Sequence, residues 1–162
     1  MSIVFGTPAE PRWLDRTLVE SMHDDVLASH GGLGGIRDAG LLESALAKPM
    51  HLHDNDAESN LADWAAAYAV GIARNLPFPD GNKRTAFVSL AVFLRLNGQS
   101  LDVPEPEAVL VAIDIATGVM PAAEVAAWIR RNTTSILRPG SVGREARRAA
   151  RRSKVSRKKR SA

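Results

Sequence analysis

A chain of 162 residues that is 45% hydrophobic has room for one domain with an ordinary core. Its apolar set is rich in alanine and leucine, which favours helices over strands. With no cysteine, disulfides and thiolate metal sites are excluded. No apolar run approaches the ~18 residues of a membrane span, and the N-terminus has no charged region followed by an apolar one. A cytoplasmic protein with no membrane contact is therefore expected. The net charge of +3 hides a division: residues 1–137 carry 10 basic and 17 acidic residues, whereas residues 138–162 carry 11 Lys/Arg and a single acid, Glu145. We expect a domain over 1–137 and a basic tail over 138–162.

Residues 1–10 have little periodicity and read as an extended arm. A first helix is predicted from Pro11 to His30, because Leu14, Leu18, Met22 and Val26 recur on one stripe with Val19 and Leu27 beside them. The glycines Gly31, Gly32, Gly34 and Gly35 stop it. Asp38 reads as the N-cap of a short helix, Ala39 to Ala47, facing inwards with Leu41, Leu42, Ala45 and Leu46 and closed by Pro49. His51 to Asp56 is polar and reads as a loop. A helix opening at Ser59 or Asn60 presents Leu61, Trp64, Ala65, Tyr68 and Ile72, and ends before Pro77.

The helix predicted from Gly81 to Asn97 is apolar nearly all round after its first turn, as a central buried helix would be. Asn97-Gly98 signals a left-handed stop. Two further helices, Pro104 to Ala116 and Pro121 to Asn132, begin with proline and acids. Their predicted inner faces are Val109, Ala112, Ile113 and Ala116 in one, and Val125, Trp128 and Ile129 in the other. No strand is predicted. Pro139-Gly140 ends the domain, and the tail has too few apolar residues to dock, so disorder or a solvated helix is expected. Its cations suit sequence-independent attraction to nucleic acid, and equally an acidic partner or a solvated appendage.

The chemistry concentrates in Leu76-Pro77-Phe78-Pro79-Asp80-Gly81-Asn82-Lys83-Arg84. A proline-fixed turn runs into a helix start, where free N–H groups and the helix dipole favour an anion. Lys83 and Arg84 add cationic donors, and the Asp80 carboxylate suits Mg²⁺.

This stretch resembles the Fic/Doc family, in particular its Doc (death-on-curing) toxin branch. The family motif His-x-Phe-x-Asp-Gly/Ala-Asn-Lys-Arg is matched at Phe78, Asp80, Gly81, Asn82, Lys83 and Arg84. Gly31-Gly32 with Ile36-Arg37-Asp38-Ala39-Gly40-Leu41-Leu42-Glu43-Ser44-Ala45-Leu46 is similar to the family's N-terminal signature, and Ala126-Ala127-Trp128-Ile129 to its closing helix. The likeness covers about residues 11–135 and leaves out the tail.

It implies an all-α Fic fold around one central helix. It also implies a toxin of a toxin–antitoxin pair that transfers phosphate from ATP to a hydroxyl of a translation factor, elongation factor Tu, with an antitoxin's helical segment docked beside the active site. Asp80 would hold Mg²⁺ on the nucleotide phosphates, and Gly81 and Asn82 would offer backbone N–H groups. Lys83 and Arg84 would neutralise the transferred phosphoryl, and Phe78 would anchor the loop. The AMP-transferring branch has a second glycine where Lys83 stands, so Lys83 favours phosphate transfer. One position departs: the motif's opening histidine, the catalytic base, is Leu76 here. Leucine cannot take a proton, and loss of a general base costs ~10²–10⁴ in rate. The expected enzyme is therefore severely impaired or inactive. The alternatives are an AMP-transferring enzyme, or a pseudoenzyme that binds a nucleotide or partner. Nearby residues carry simpler readings. His51, His53 and Asp54 are read as exposed rather than metal-binding, and His23 and His30 as ordinary packing or surface. Arg37-Asp38 is read as a structural pair around the glycine loop.

Overall fold

The computed structural model describes residues 10–136. The predicted arm and the basic tail fall almost wholly outside these residues. The described chain forms six helices and one small ladder: α1 (Arg16–His30), α2 (Ala39–Asn55), α3 (Leu61–Asn75), α4 (Asn82–Leu96), β1 (Gln99–Leu101), α5 (Glu105–Thr117), α6 (Ala122–Asn132) and β2 (Thr133–Ser135). The architecture is all-α, as expected. None of its helices is long and apolar enough to cross a membrane among the described residues.

Helix boundaries follow local chemistry. Asp15, not Pro11, starts α1, its carboxylate accepting from Leu18 N–H. Asp38 caps α2 through Leu41 N–H. At α3, Asn60 and Asp63 form a reciprocal capping box.

The larger departure is α2, which runs through Pro49 to Asn55 and absorbs the segment predicted as a loop. Proline removes the N–H that would bond the carbonyl four residues back, here that of Ala45. That carbonyl lies at a close approach of α2 to α3: a Cβ placed on Gly71 would stand 3.2 Å from Ala45 Cα and 3.4 Å from its oxygen. Beyond the proline, tertiary contacts hold the helix. The His53 ring stands edge-on to Trp13 and Trp64, with centroids 5.4 and 4.9 Å apart, and Ser59 Oγ donates to Leu52 O.

One helix is central, but it is α3. Packed against α2, α4, α5 and α6, it buries Ala62, Ala65, Ala66, Tyr68, Ala69, Ile72 and Ala73. Helix α4 lies beside it, with one flank against α1, and buries Thr85, Ala86, Ser89, Leu90, Phe93 and Leu94. The predicted face of α5 is also corrected: Val111 and Ile115 are buried, while Val109 is 53% exposed and Ile113 40%. The unpredicted ladder pairs β1 with β2 antiparallel, Ser100 opposite Thr134, and ties the end of α4 to the end of α6.

Candidate active site

The turn between α3 and α4 is held from several sides. Helix α3 ends at Leu76, which adopts the left-handed conformation (φ 51°, ψ 53°) while its N–H still reaches Ile72 O. Among the described residues it is the sole non-glycine with positive φ. That position normally falls to glycine, because a Cβ there crowds the following carbonyl. Contacts from distant sequence fix it. Arg37 donates from Nε to Leu76 O at 2.7 Å and from its guanidinium to Asn75 O at 3.1 Å. The Arg37 and Asp38 N–H groups both donate to Pro77 O. Arg37 and Asp38 are therefore not partners of each other: the first closes the end of α3, the second opens α2.

Phe78 is buried, and Asn82 folds back over it. Asn82 Oδ1 accepts from Phe78 N–H at 3.0 Å, and Asn82 Nδ2 donates to Phe78 O at 2.8 Å. The Asn82 side chain thus closes the turn into a ring and is itself buried. Asp80 is exposed, and its Oδ2 accepts from Leu33 N–H at 2.8 Å. The glycine loop must come close for this. A Cβ on Gly32 (φ +124°) would stand 3.1 Å from Asp80 Cβ and 3.0 Å from Leu27 Cδ2.

Gly81, at φ 78°, is the N-cap of α4 and no side chain caps that helix. Among the described residues the N–H groups of its first turn have no partner in the fold. They border a cleft of about 540 Å³ lined in part by Arg74, Leu76, Asp80, Gly81, Asn82 and Lys83. Leu76 is 49% exposed there. Of the residues singled out from sequence, the cleft gathers Leu76, Asp80, Gly81, Asn82 and Lys83. Phe78 lies beneath, and the exposed Arg84 is outside the lining.

Three residues around the turn were not legible as site residues in the sequence. Arg74 lines the cleft and lies against Gly118, where a Cβ would meet its guanidinium at 3.2 Å. Thr117 lines it from the end of α5. His23 supports the turn from α1, with Nε2 2.8 Å from Asp80 O and its ring flat on Phe78. The available signal for His23 was its place four residues after Val19 on the inward stripe of α1.

An uncapped helix start with a lysine in its first turn and an arginine nearby can bind an anion such as a polyphosphate. Asp80 fits Mg²⁺ in the manner of nucleotide sites, where one carboxylate shares the ion with phosphates and water. Among the described residues no three His, Cys, Asp or Glu converge into a metal site.

The Fic/DOC family profile matches residues 13–94. A protein of Escherichia phage P1 described as "Protein kinase doc" is 35% identical over 112 residues, spanning 68% of this chain and 87% of that protein. One from Mycolicibacterium smegmatis described as "Toxin Doc" is 42% identical over 83 residues, 48% of this chain and 64% of that protein.

Proposed function

The chain belongs to the Fic/DOC family, and from this we propose that it is a Doc-like toxin scaffold whose nucleotide site is complete and whose base is missing. In this reading the first turn of α4 receives ATP phosphates on the N–H groups of Gly81 and Asn82. Lys83 and Arg84 offset the charge of the transferred phosphoryl. The side chain of Asn82 plays a separate part, locking the turn through Phe78. Asp80 would hold a Mg²⁺ ion bound with the nucleotide, and the ion would supply charge neutralisation. The acceptor is a hydroxyl of a translation factor, elongation factor Tu by family resemblance, and an antitoxin helix docks beside the site in the resting pair.

The observation that carries the reading is Leu76. A strained, left-handed, half-exposed residue lines the same cleft as an uncapped helix start. Backbone strain of this kind collects at functional sites, and histidine tolerates the left-handed region better than most residues. A base at 76 would therefore stand in the cleft without rebuilding the turn. With leucine, no group at 76 can take the acceptor's proton.

The deciding experiment is Leu76→His. Its imidazole takes the hydroxyl proton as the oxygen bonds to the γ-phosphorus, and the bond to ADP breaks. The variant should arrest growth and label a protein acceptor from γ-labelled ATP, at ~10²–10⁴ times the rate of the unaltered chain. Label from α-labelled ATP instead would establish AMP transfer. A variant that binds ATP yet labels nothing would establish the rival reading, a nucleotide-binding pseudoenzyme.

A further inference from the structure

His23 is 2% exposed, and its ring stacks on Phe78 with centroids 3.8 Å apart and planes 9° from parallel. Its Nε2 lies 2.8 Å from the Asp80 carbonyl oxygen. A carbonyl oxygen only accepts, so Nε2 carries the hydrogen. With Nε2 committed, and with the ring lining a separate cleft of about 300 Å³ beside Glu20, Asp24 and Ile36, His23 is not a substitute for the base absent at position 76.

Its effect falls on the Asp80–Gly81 peptide. No described peptide bond is cis, and in a trans peptide C=O and N–H point in opposite directions. Holding the Asp80 carbonyl towards α1 therefore turns the Gly81 N–H away from α1. Among the described residues no other hydrogen bond reaches the Asp80 carbonyl or the Gly81 N–H. Gly81 has no side chain, and glycine accepts φ of either sign, so the peptide could flip with little steric penalty. The neighbouring groups are held by other means: Asn82 grips Phe78, and Leu33 grips the Asp80 carboxylate.

We propose that His23 is a positioning residue that fixes the Asp80–Gly81 peptide with its N–H towards the phosphate-binding cleft. The inference rests on the reading of the α4 start as a phosphate site. Without His23 the peptide populates both orientations, and the cradle loses one aligned donor for part of the time.

The experiment measures binding, so it needs no turnover. His23→Phe keeps a flat ring against Phe78 and removes the donor; His23→Gln keeps an N–H donor at a similar reach. Titration with ATP and Mg²⁺ should show affinity about tenfold weaker for His23→Phe, about the loss of one charge-assisted hydrogen bond. His23→Gln should stay within about threefold. In the unaltered chain, inorganic phosphate should shift the Gly81 amide resonance, and His23 should be the tautomer protonated at Nε2. Both signatures are read without any variant, so a failure of His23→Phe to fold leaves the inference testable. Equal affinities for the unaltered chain and a folded His23→Phe, a Gly81 amide indifferent to phosphate, or a His23 protonated only at Nδ1 would each overturn it. If the unaltered chain binds neither ATP nor phosphate, the phosphate-site reading itself falls, a result distinct from equal binding by chain and variant.

Discussion

At the scale of single residues, position 76 joins a strained backbone to a place in the cleft lining. A left-handed conformation costs an L-residue roughly 1–2 kcal/mol, and Leu76 recovers little of it through burial, being half exposed. Leu76→Gly should therefore raise stability by about 0.5–1 kcal/mol, even after glycine's greater entropy loss on folding. Denaturant unfolding reads the sign directly, and a loss of stability would show that the leucine side chain matters more to packing than its backbone costs. The end of α3 before Pro77 was legible in the sequence, since the ring disfavours helix at the preceding residue. The left-handed turn at 76 was not. It is held by Arg37, which donates to Leu76 O and Asn75 O across 38 or 39 residues of chain, and no local pattern encodes such a contact. Asn82 is similar: its type fits a turn, but the ring it closes on Phe78 depends on the backbone path between them.

At the scale of elements, helix existence was legible and helix extent was not wherever a tertiary contact outweighed a local breaker. Pro49 ought to end α2. The helix continues because His53 finds Trp13 and Trp64, and because the carbonyl released by Pro49 lies against α3. This close crossing makes a prediction of its own. Gly71→Ala improves helix propensity by ~1 kcal/mol, yet its Cβ would press within 3.2 Å of Ala45 Cα and Cβ. Separating two packed helices costs typically about 1–3 kcal/mol. The net effect should be a lower melting temperature, and a higher one would mean that the α2–α3 contact is looser than described. Helix α5 failed for another reason. Its run from Ala108 to Ala116 is apolar on almost every side, so periodicity could not choose between the face with Val109 and Ile113 and the buried face with Val111 and Ile115.

At the scale of the whole molecule, three separate segments converge on one turn. The glycine loop supplies Leu33 N–H to Asp80, the start of α2 supplies Arg37 to the end of α3, and α1 supplies His23. The motif at 76–84 was legible because its residue types carry phosphate and metal chemistry. Its supports were not, because they are ordinary residues made special by position. The core has its own signature in Tyr68. Burial raises its phenol pKa from 10.0 to about 12, partly offset by the hydrogen bond its oxygen accepts from Leu14 N–H. The folded state thus keeps this proton to higher pH than the unfolded chain does. Tyr68 should contribute no pH dependence below pH 10 and a loss of stability as pH rises from 10 towards 12. Thermal unfolding across that range should fall less steeply for Tyr68→Phe, and equal slopes would show that burial does not hold the phenol proton.

The proposed reading makes binding and proton transfer separable, with binding kept by the start of α4 and no base at position 76. Calorimetric titration of ATP with Mg²⁺ into the unaltered chain and into Leu76→His measures that separation. Affinities within about threefold of each other are expected, since a base contributes to the transition state more than to ground-state binding. No binding by the unaltered chain, with binding restored only by the histidine, would contradict it.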